Sequence, residues 1–152
     1  MLPDTVIRKS NAWTELFWWP TVVTLIILTT PAQADETILT GTVSKVRDGD
    51  TIEVGKIPIR LNGVSAPELD EPLGQQSKQF MRNLVMGKPV SCEMTGAKTY
   101  DRLVGTCYLD DKDIGISVIE AGLALDCPRY SGGRYVEYEK AGTGIVLPGY
   151  CR

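Results

Sequence analysis

The chain has 152 residues, with 19 acidic and 16 basic side chains, a formal net charge of −3 and no histidine. Because histidine is absent, a Ser–His or Cys–His nucleophile pair and an imidazole general base are excluded, and acid–base chemistry falls to Asp, Glu, Lys or Tyr. The mild acidity also argues against tight non-specific binding to a phosphate backbone, which normally depends on clustered Lys and Arg, although a local basic cleft stays open.

Residues 1–34 have the pattern of a signal peptide. Two basic residues precede an uncharged stretch at 16–30, and Ala32 and Ala34 give the small-x-small pattern of a cleavage site after Ala34. The alternative is an uncleaved anchor, but the stretch is shorter than the roughly 18–20 residues that span a bilayer. We therefore expect a single exported domain over 35–152, periplasmic or secreted, monomeric and without stable membrane insertion after cleavage.

Residue patterns along 35–152 predict strands and helices in alternation. Runs rich in β-branched residues predict five strands, and apolar residues at helical spacing predict three helices, the first with Pro72 in its first turn and Gly87 after its end. The predicted strands are 37–46, 51–54, 57–64, 89–94 and 103–109, and the predicted helices are 72–86, 114–124 and about 133–140. A helix inserted after the third of five short strands predicts an α+β, mainly β fold: a small Greek-key barrel with helices packed outside.

All four cysteines (Cys92, Cys107, Cys127 and Cys151) lie in the predicted exported domain. An even number in an oxidising compartment predicts two disulfides, for which three pairings are possible. We favour Cys92–Cys107, across two strands that are expected to be neighbours, and Cys127–Cys151, which would hold the C-terminal tail. Buried free thiols are the alternative. A zinc site is disfavoured because the cysteines form no CxxC pair and no histidine is present.

Several acidic and basic side chains in the first half of the domain form a set that suits phosphodiester chemistry. Asp50 ends the turn Asp48-Gly49-Asp50, Arg60 lies in an apolar strand, and Glu68 follows Pro67. Each has an ordinary structural interpretation: the turn is typical of Asp and Gly, and Glu68 suits a solvated loop. Arg60 must reach the surface, pair with a carboxylate or bind an anion, because an unpaired buried guanidinium is costly. Asp50 and Arg60 are neighbours if the intervening hairpin is tight, but whether they share a face stays open.

Five short motifs, in order along the chain, resemble those of the staphylococcal nuclease-like proteins. The resemblance covers about residues 40–140, and it implies an OB-type barrel of five strands with three helices. The motifs are Asp48-Gly49-Asp50-Thr51, Ile59-Arg60-Leu61, Ala66-Pro67-Glu68, Tyr100-Asp101-Arg102-Leu103 and Glu120-Ala121-Gly122-Leu123-Ala124.

The resemblance also implies roles for individual residues. Asp50 matches a calcium-ligating aspartate, and Glu68 matches the glutamate that activates or orients the attacking water. Arg60 and Arg102 match the arginines that grip the scissile phosphate, where guanidinium donors meet the charge that gathers on the phosphoryl oxygens. The tyrosines that would contact the nucleotide are Tyr100 and Tyr130.

Two positions depart from the family pattern. Ser65 stands where the family has a second calcium-binding aspartate, so we expect calcium to bind more weakly here than in typical members. Asp101 stands where a glycine usually precedes the second arginine, and we expect it to put an acid beside the phosphate site.

Two functions of different class are consistent with these residues. The first is a secreted, calcium-assisted nuclease acting on DNA or RNA, with single-stranded nucleic acid as its substrate. The alternative is a non-catalytic OB-fold module of the cell envelope that binds an anionic polymer or a protein partner. A structural ion pair between Glu68 and Arg60 or Arg102 would favour the alternative.

Overall fold

The computed structural model describes residues 37–152, and the predicted signal peptide lies outside this range. Within it there are eight strands, three α-helices and two short 3₁₀ turns. No helix in this part of the chain combines the length and apolarity needed to cross a membrane. The strands are β1 (Ile38–Val46), β2 (Thr51–Val54), β3 (Ile57–Leu61), β4 (Val64–Ser65), β5 (Pro89–Thr99), β6 (Arg102–Leu109), β7 (Lys112–Asp113) and β8 (Leu125–Asp126). The helices are α1 (Gly74–Val85), α2 (Ile114–Glu120) and α3 (Pro128–Ser131), and the 3₁₀ turns are Val136–Tyr138 and Gly149–Cys151.

Five strands pair in a ring. The order is β3-β2-β1-β5-β6, and β3 also pairs with β6 in parallel, which returns the pairing to its start. The short β7 adds to β6, while β4 and β8 form a separate two-stranded sheet. This arrangement confirms the predicted α+β, mainly β fold of the OB type, with three helices.

The apolar side chains of the ring face inward against α1 and α2. Alternation along β3 buries Ile59 and Leu61, and helical spacing along α1 buries Met81 and Val85 in the same core. Because side chains alternate across a strand, Arg60 lies between two core residues and faces the other side. The core therefore fixes the position of β3, and with it the position of Arg60.

The predicted helix over 133–140 is wrong. The chain forms α3 five residues earlier, with Pro128 at its first turn, and a single 3₁₀ turn over Val136–Tyr138. Gly132 and Gly133 both have positive φ, which ends α3 and prevents a new helix from starting there. Tyr135 is buried instead and donates a 2.9 Å hydrogen bond to Asp113, so a tertiary contact overrides the helical pattern.

Three predicted boundaries are also corrected. The strand over 57–64 divides into β3 and β4 because Gly63 has a φ of 72° and turns the chain. The strand predicted to end at residue 94 continues to Thr99, where it forms a hairpin with β6. Helix α1 starts at Gly74, after Leu73 with a φ of 68°, so Pro72 precedes the helix instead of lying in its first turn.

The two disulfides join the pairs that the sequence favoured. Cys92 and Cys107 are directly opposite each other on β5 and β6 and are buried in the core. The second disulfide joins Cys127, immediately before α3, to Cys151 in the last 3₁₀ turn. The C-terminal tail is thereby fixed beside α3.

Candidate active site

A cleft of about 710 Å³ opens where β3 meets β6. Arg60, Glu68, Arg102, Tyr100 and Tyr130 all line it. The structure thus brings together five of the six site residues that were predicted from the sequence, although they come from four separate segments of the chain. The sixth, Asp50, is buried directly behind Arg60.

Asp50 and Arg60 form a buried ion pair behind the cleft. Asp50 is only 3% exposed, and its Oδ1 pairs with the Arg60 guanidinium. Its Oδ2 accepts a 2.9 Å hydrogen bond from the Ala66 backbone, and Oδ1 accepts a 3.1 Å bond from the Thr51 hydroxyl. The hairpin register sets this contact, because Thr51 lies opposite Arg60. The question that the sequence left open is answered: the two side chains lie on the same side.

Arg102 reaches the same place from the neighbouring strand. Its guanidinium donates a 3.2 Å hydrogen bond to the Thr51 hydroxyl, while its Nε is buried and has no partner among residues 37–152. The pKa of Arg60 is lowered, mainly because the side chain is buried, and the positive charge of Arg102 lowers it further. Nearby groups, Tyr150 first among them, oppose this shift without reversing it. Two cations therefore share one partly buried site with donors still available, which suits an anion.

Glu68 lies at the mouth of the cleft on the loop between β4 and α1. Its backbone N–H donates a 2.9 Å hydrogen bond to the Glu71 carboxylate, and its side chain is exposed. Gly74 allows this loop to close, because a Cβ there would lie 1.9 Å from the Glu68 carbonyl oxygen. Within the described residues, the Glu68 carboxylate forms no ion pair within 4.0 Å. It is thus available to a ligand.

Two predicted tyrosines flank the arginines. Tyr100 is at the tip of the β5–β6 hairpin, is 95% exposed, and its ring centre lies 5.8 Å from the Arg102 guanidinium carbon. Tyr130 projects from α3, with the Arg129 guanidinium carbon 5.9 Å from its ring centre. Exposed aromatic rings beside cations are the type of surface that holds unstacked bases.

Asp101 lies beside Arg102, as expected, but its carboxylate is paired with Arg47. Its carboxylate accepts a 2.7 Å hydrogen bond from Arg47, which also donates a 2.7 Å bond to Glu53. The Arg47 hydrogen bond lowers the pKa of Asp101. The bridge ties the hairpin that carries Tyr100 to the end of β1 and, through Glu53, to β2.

Two acidic side chains could offer oxygen ligands to a cation: Glu68 at the cleft and the buried Asp50 behind it. Ser65 is buried in β4 opposite Leu125. Among residues 37–152, no three acidic, cysteine or histidine side chains form a cluster suited to a metal ion. Asp50 brings one buried carboxylate, whose Oδ2 accepts only the bond from Ala66, and Glu68 adds a second on the exposed side. Both are oxygen donors of the kind that a hard cation prefers, and Asp50 Oδ1 is already paired with Arg60.

Sequence reasoning missed three residues of this site. Thr51 bridges Asp50 and Arg102 through its hydroxyl, and Lys98 and Tyr150 line the cleft. The sequence did offer a signal for Tyr150. Its neighbour Cys151 was expected to bond to Cys127, which lies three residues before Tyr130, so the disulfide would bring the two tyrosines close together. Thr51 stood in the motif Asp48-Gly49-Asp50-Thr51 but was given no role, because a threonine at the start of a strand is common.

Known proteins resemble this chain over much of its length. A model of the staphylococcal nuclease homologue family matches residues 58–142. The chain belongs to this family. Among curated relatives, an uncharacterized endonuclease of Escherichia coli O157:H7 is 34% identical, over 71% of this chain and 67% of the relative. An uncharacterized endonuclease of Haemophilus influenzae is 30% identical, over 70% and 63%. The succinoglycan biosynthesis protein ExoI of Rhizobium meliloti is 35% identical, over 82% and 72%.

Proposed function

We propose that this protein is an exported, calcium-assisted nuclease that hydrolyses phosphodiester bonds of single-stranded DNA or RNA. The observation that carries the proposal is the convergence of Arg60, Arg102 and Glu68 on one cleft. Membership of the nuclease homologue family and the two relatives named endonucleases support it.

The two arginines would bind the scissile phosphate and stabilise its transition state. A phosphodiester gathers negative charge on its non-bridging oxygens as water attacks, and preorganised guanidinium donors stabilise that charge. Asp50 holds the Arg60 side chain in place, and the Thr51 hydroxyl orients Arg102. The Arg102 Nε, buried and without a partner in residues 37–152, is a donor ready for a phosphate oxygen.

Glu68 would act as the general base that takes a proton from the attacking water. Among residues 37–152 it is the one acidic side chain that lines the cleft, and the exposed loop lets water reach it. With histidine absent from the chain, a carboxylate is the natural base for this step. Tyr100 and Tyr130 would stack on the nucleotides beside the reacting phosphate.

Calcium would be held by Asp50 and Glu68 together with water, and when bound it would supply further positive charge to the phosphoryl oxygens. We propose that its affinity is low, because Ser65 offers a neutral hydroxyl where a carboxylate would add charge.

We propose further that residues 1–34 are a signal peptide cleaved after Ala34 and that the mature protein is a monomer in the periplasm or outside the cell. The two disulfides support an oxidising compartment, since cytosolic thiols are normally kept reduced.

Cleavage of single-stranded DNA and RNA across a calcium titration, with EDTA as a blank, tests the proposal. We expect Glu68→Gln to lower kcat by about 100-fold or more, the range for loss of a general base. Arg102→Ala should lower it by about 100- to 1,000-fold, the range for loss of a transition-state donor. The controls are Glu120→Gln and Arg82→Ala, which remove the same charges on helices away from the cleft.

Calcium-dependent cleavage that survives in both controls and disappears in both cleft variants would support the nuclease. An absence of cleavage by folded protein at millimolar calcium would count against it.

The second candidate is a non-catalytic OB-fold module that binds an anionic polymer. Two observations favour it: Ser65 replaces a family acid, and one relative is named for succinoglycan biosynthesis. The exposed Glu68 carboxylate counts against it, because a site built only to hold an anion gains nothing from an unpaired acid at its mouth. Binding of a polyanion by wild type and Glu68→Gln separates the two, since a binding module should bind more tightly without this acid and should not cleave DNA or RNA.

A further inference from the structure

Tyr150 reaches the cleft from the C-terminal tail. It lines the same cleft as Arg60 and Arg102, and it is 51% exposed, so its ring is accessible to a ligand. The effect of Tyr150 on the pKa of Arg60 is consistent with a phenol close to that guanidinium. Neither the family motifs nor the predicted site residues include this tyrosine.

The disulfide between Cys127 and Cys151 is what holds Tyr150 in this place. Cys151 follows Tyr150 directly, is fully buried, and is bonded to the cysteine that precedes α3. Among the described residues, the hydrogen bonds made by 142–152 join positions no more than three apart, such as Cys151 N–H to the Pro148 carbonyl. The tail therefore has no long-range hydrogen bond of its own, and the disulfide is its covalent link to the domain, beside packing contacts such as Thr143 near Gly122.

We propose that Tyr150 is a third nucleotide-binding aromatic of the cleft, positioned by the Cys127–Cys151 disulfide. This inference rests on the proposed nuclease function and deepens it. Tyr100 on the hairpin, Tyr130 on α3 and Tyr150 on the tail lie around the same pair of arginines. Rings from three segments can each stack on a different base only when the bases are free of a duplex, which favours single-stranded substrate.

The test measures binding of a fluorescent oligothymidylate by anisotropy in a Glu68→Gln background, where cleavage is expected to be at least about 100-fold slower. It also measures KM and kcat in the wild-type background. Tyr150→Ala should raise Kd and KM about tenfold, the scale of one lost base–aromatic stack, and leave kcat within about twofold. Tyr150→Phe should bind like wild type, because stacking needs the ring and not the hydroxyl. Val146→Ala, on the same tail but outside the cleft, is the matched control.

A double-mutant cycle tests the role of the disulfide. Cys127→Ala/Cys151→Ala should raise Kd about as much as Tyr150→Ala, and combining the changes should add little, because both remove the same contact. The double variant Cys92→Ala/Cys107→Ala removes the other disulfide. It shows the effect of lost stability on binding while the tail stays bonded to the domain.

Unchanged binding by Tyr150→Ala, in a protein that cleaves DNA or RNA, would overturn this inference and leave the proposed function standing. If Tyr150→Ala and Tyr150→Phe lost the same affinity for the oligothymidylate, Tyr150 would not act by stacking. If the affinity losses in the double-mutant cycle were fully additive, the disulfide would not position Tyr150. A wild-type protein that neither binds nor cleaves would overturn the proposed function and this inference together.

Discussion

The Asp50–Arg60 pair shows how one buried contact supports both stability and the site. Both side chains are largely removed from water, at 5% and 16% exposure. Breaking a buried pair by removing one charge leaves the other unpaired, at a cost of about 3 kcal/mol. We expect Asp50→Asn to lower the free energy of unfolding by about that amount in urea denaturation. Asp48→Asn, which alters an acceptor of one backbone hydrogen bond, is the control and should lose far less.

Should Asp50→Asn cost no more than Asp48→Asn, the ion pair would have no net structural value. Arg60 would then be held by β3 alone.

Ser65 determines how strongly the site is expected to hold calcium. Ser65→Asp adds a carboxylate at a buried position in β4, close in sequence to Ala66, whose N–H contacts Asp50. Ligand charge tunes calcium affinity, so we expect Kd for calcium to fall about tenfold in isothermal titration. Without calcium the same variant should melt below wild type, because a buried carboxylate lacks compensation. A variant whose melting temperature does not respond to calcium would argue against a cation near Ser65.

At the scale of elements, Gly63 fixes how β3 approaches α3. A Cβ at this position would lie 2.7 Å from the Ser131 Cα, and φ is 72°. Gly63→Ala should therefore lower the free energy of unfolding by about 2 kcal/mol or more, through both steric contact and backbone strain. Gly55→Ala separates the two effects, since its φ is 61° but nothing lies within 4 Å of a Cβ there. Its expected cost is about 1 kcal/mol, and equal costs at the two sites would rule out the contact with α3.

The Arg47–Asp101 bridge ties the β5–β6 hairpin to the residue that follows β1, and it should make stability depend on pH. Arg47 lowers the pKa of Asp101 first by a hydrogen bond. A carboxyl with a lowered pKa in the folded state contributes stability above its unfolded pKa and loses it as the pH falls through the folded value. We expect the melting temperature of wild type to exceed that of Asp101→Asn at about pH 6. This difference in melting temperature should disappear below about pH 4. A gap that is constant down to about pH 2.5 would contradict the bridge.

The sequence was most informative where local pattern and burial agree. β2 matches its predicted range because alternation and β-branching coincide, and the Cys92–Cys107 pairing follows from two adjacent strands. It failed where a tertiary contact decides: the helix predicted over 133–140 is replaced by a buried Tyr135 and a 3₁₀ turn. The site residues were found as types, but their pairing, such as Asp50 with Arg60, depends on register. A single sequence leaves register open, because a one-residue slip moves every side chain to the other face.

On the scale of the whole molecule, two disulfides stabilise a small domain. They close loops between residues 15 and 24 positions apart, and each should contribute about 3 kcal/mol through the unfolded chain. Removal of Cys127–Cys151 should therefore lower the free energy of unfolding by about 3 kcal/mol, measured in urea. Losing Cys92–Cys107 should cost more than the loop entropy, because these two cysteines pack inside the main hydrophobic core and the other pair does not. If removing Cys127–Cys151 cost more than removing Cys92–Cys107, the tail would contribute more to the stability of the fold than its contacts indicate.

The parallel pairing of β3 with β6 has a consequence for how the molecule folds. Ile59 pairs with Leu103, so this seam joins strands far apart along the chain, and such long-range closures are slow to form. Arg60 and Arg102 lie on opposite sides of the seam, so the proposed phosphate site forms only after the ring has closed. A diphosphate that binds both guanidinium groups would hold β3 and β6 together across the seam. By mass action, that ligand should slow unfolding most at this seam, so that hydrogen exchange along β3 and β6 would report substrate binding directly.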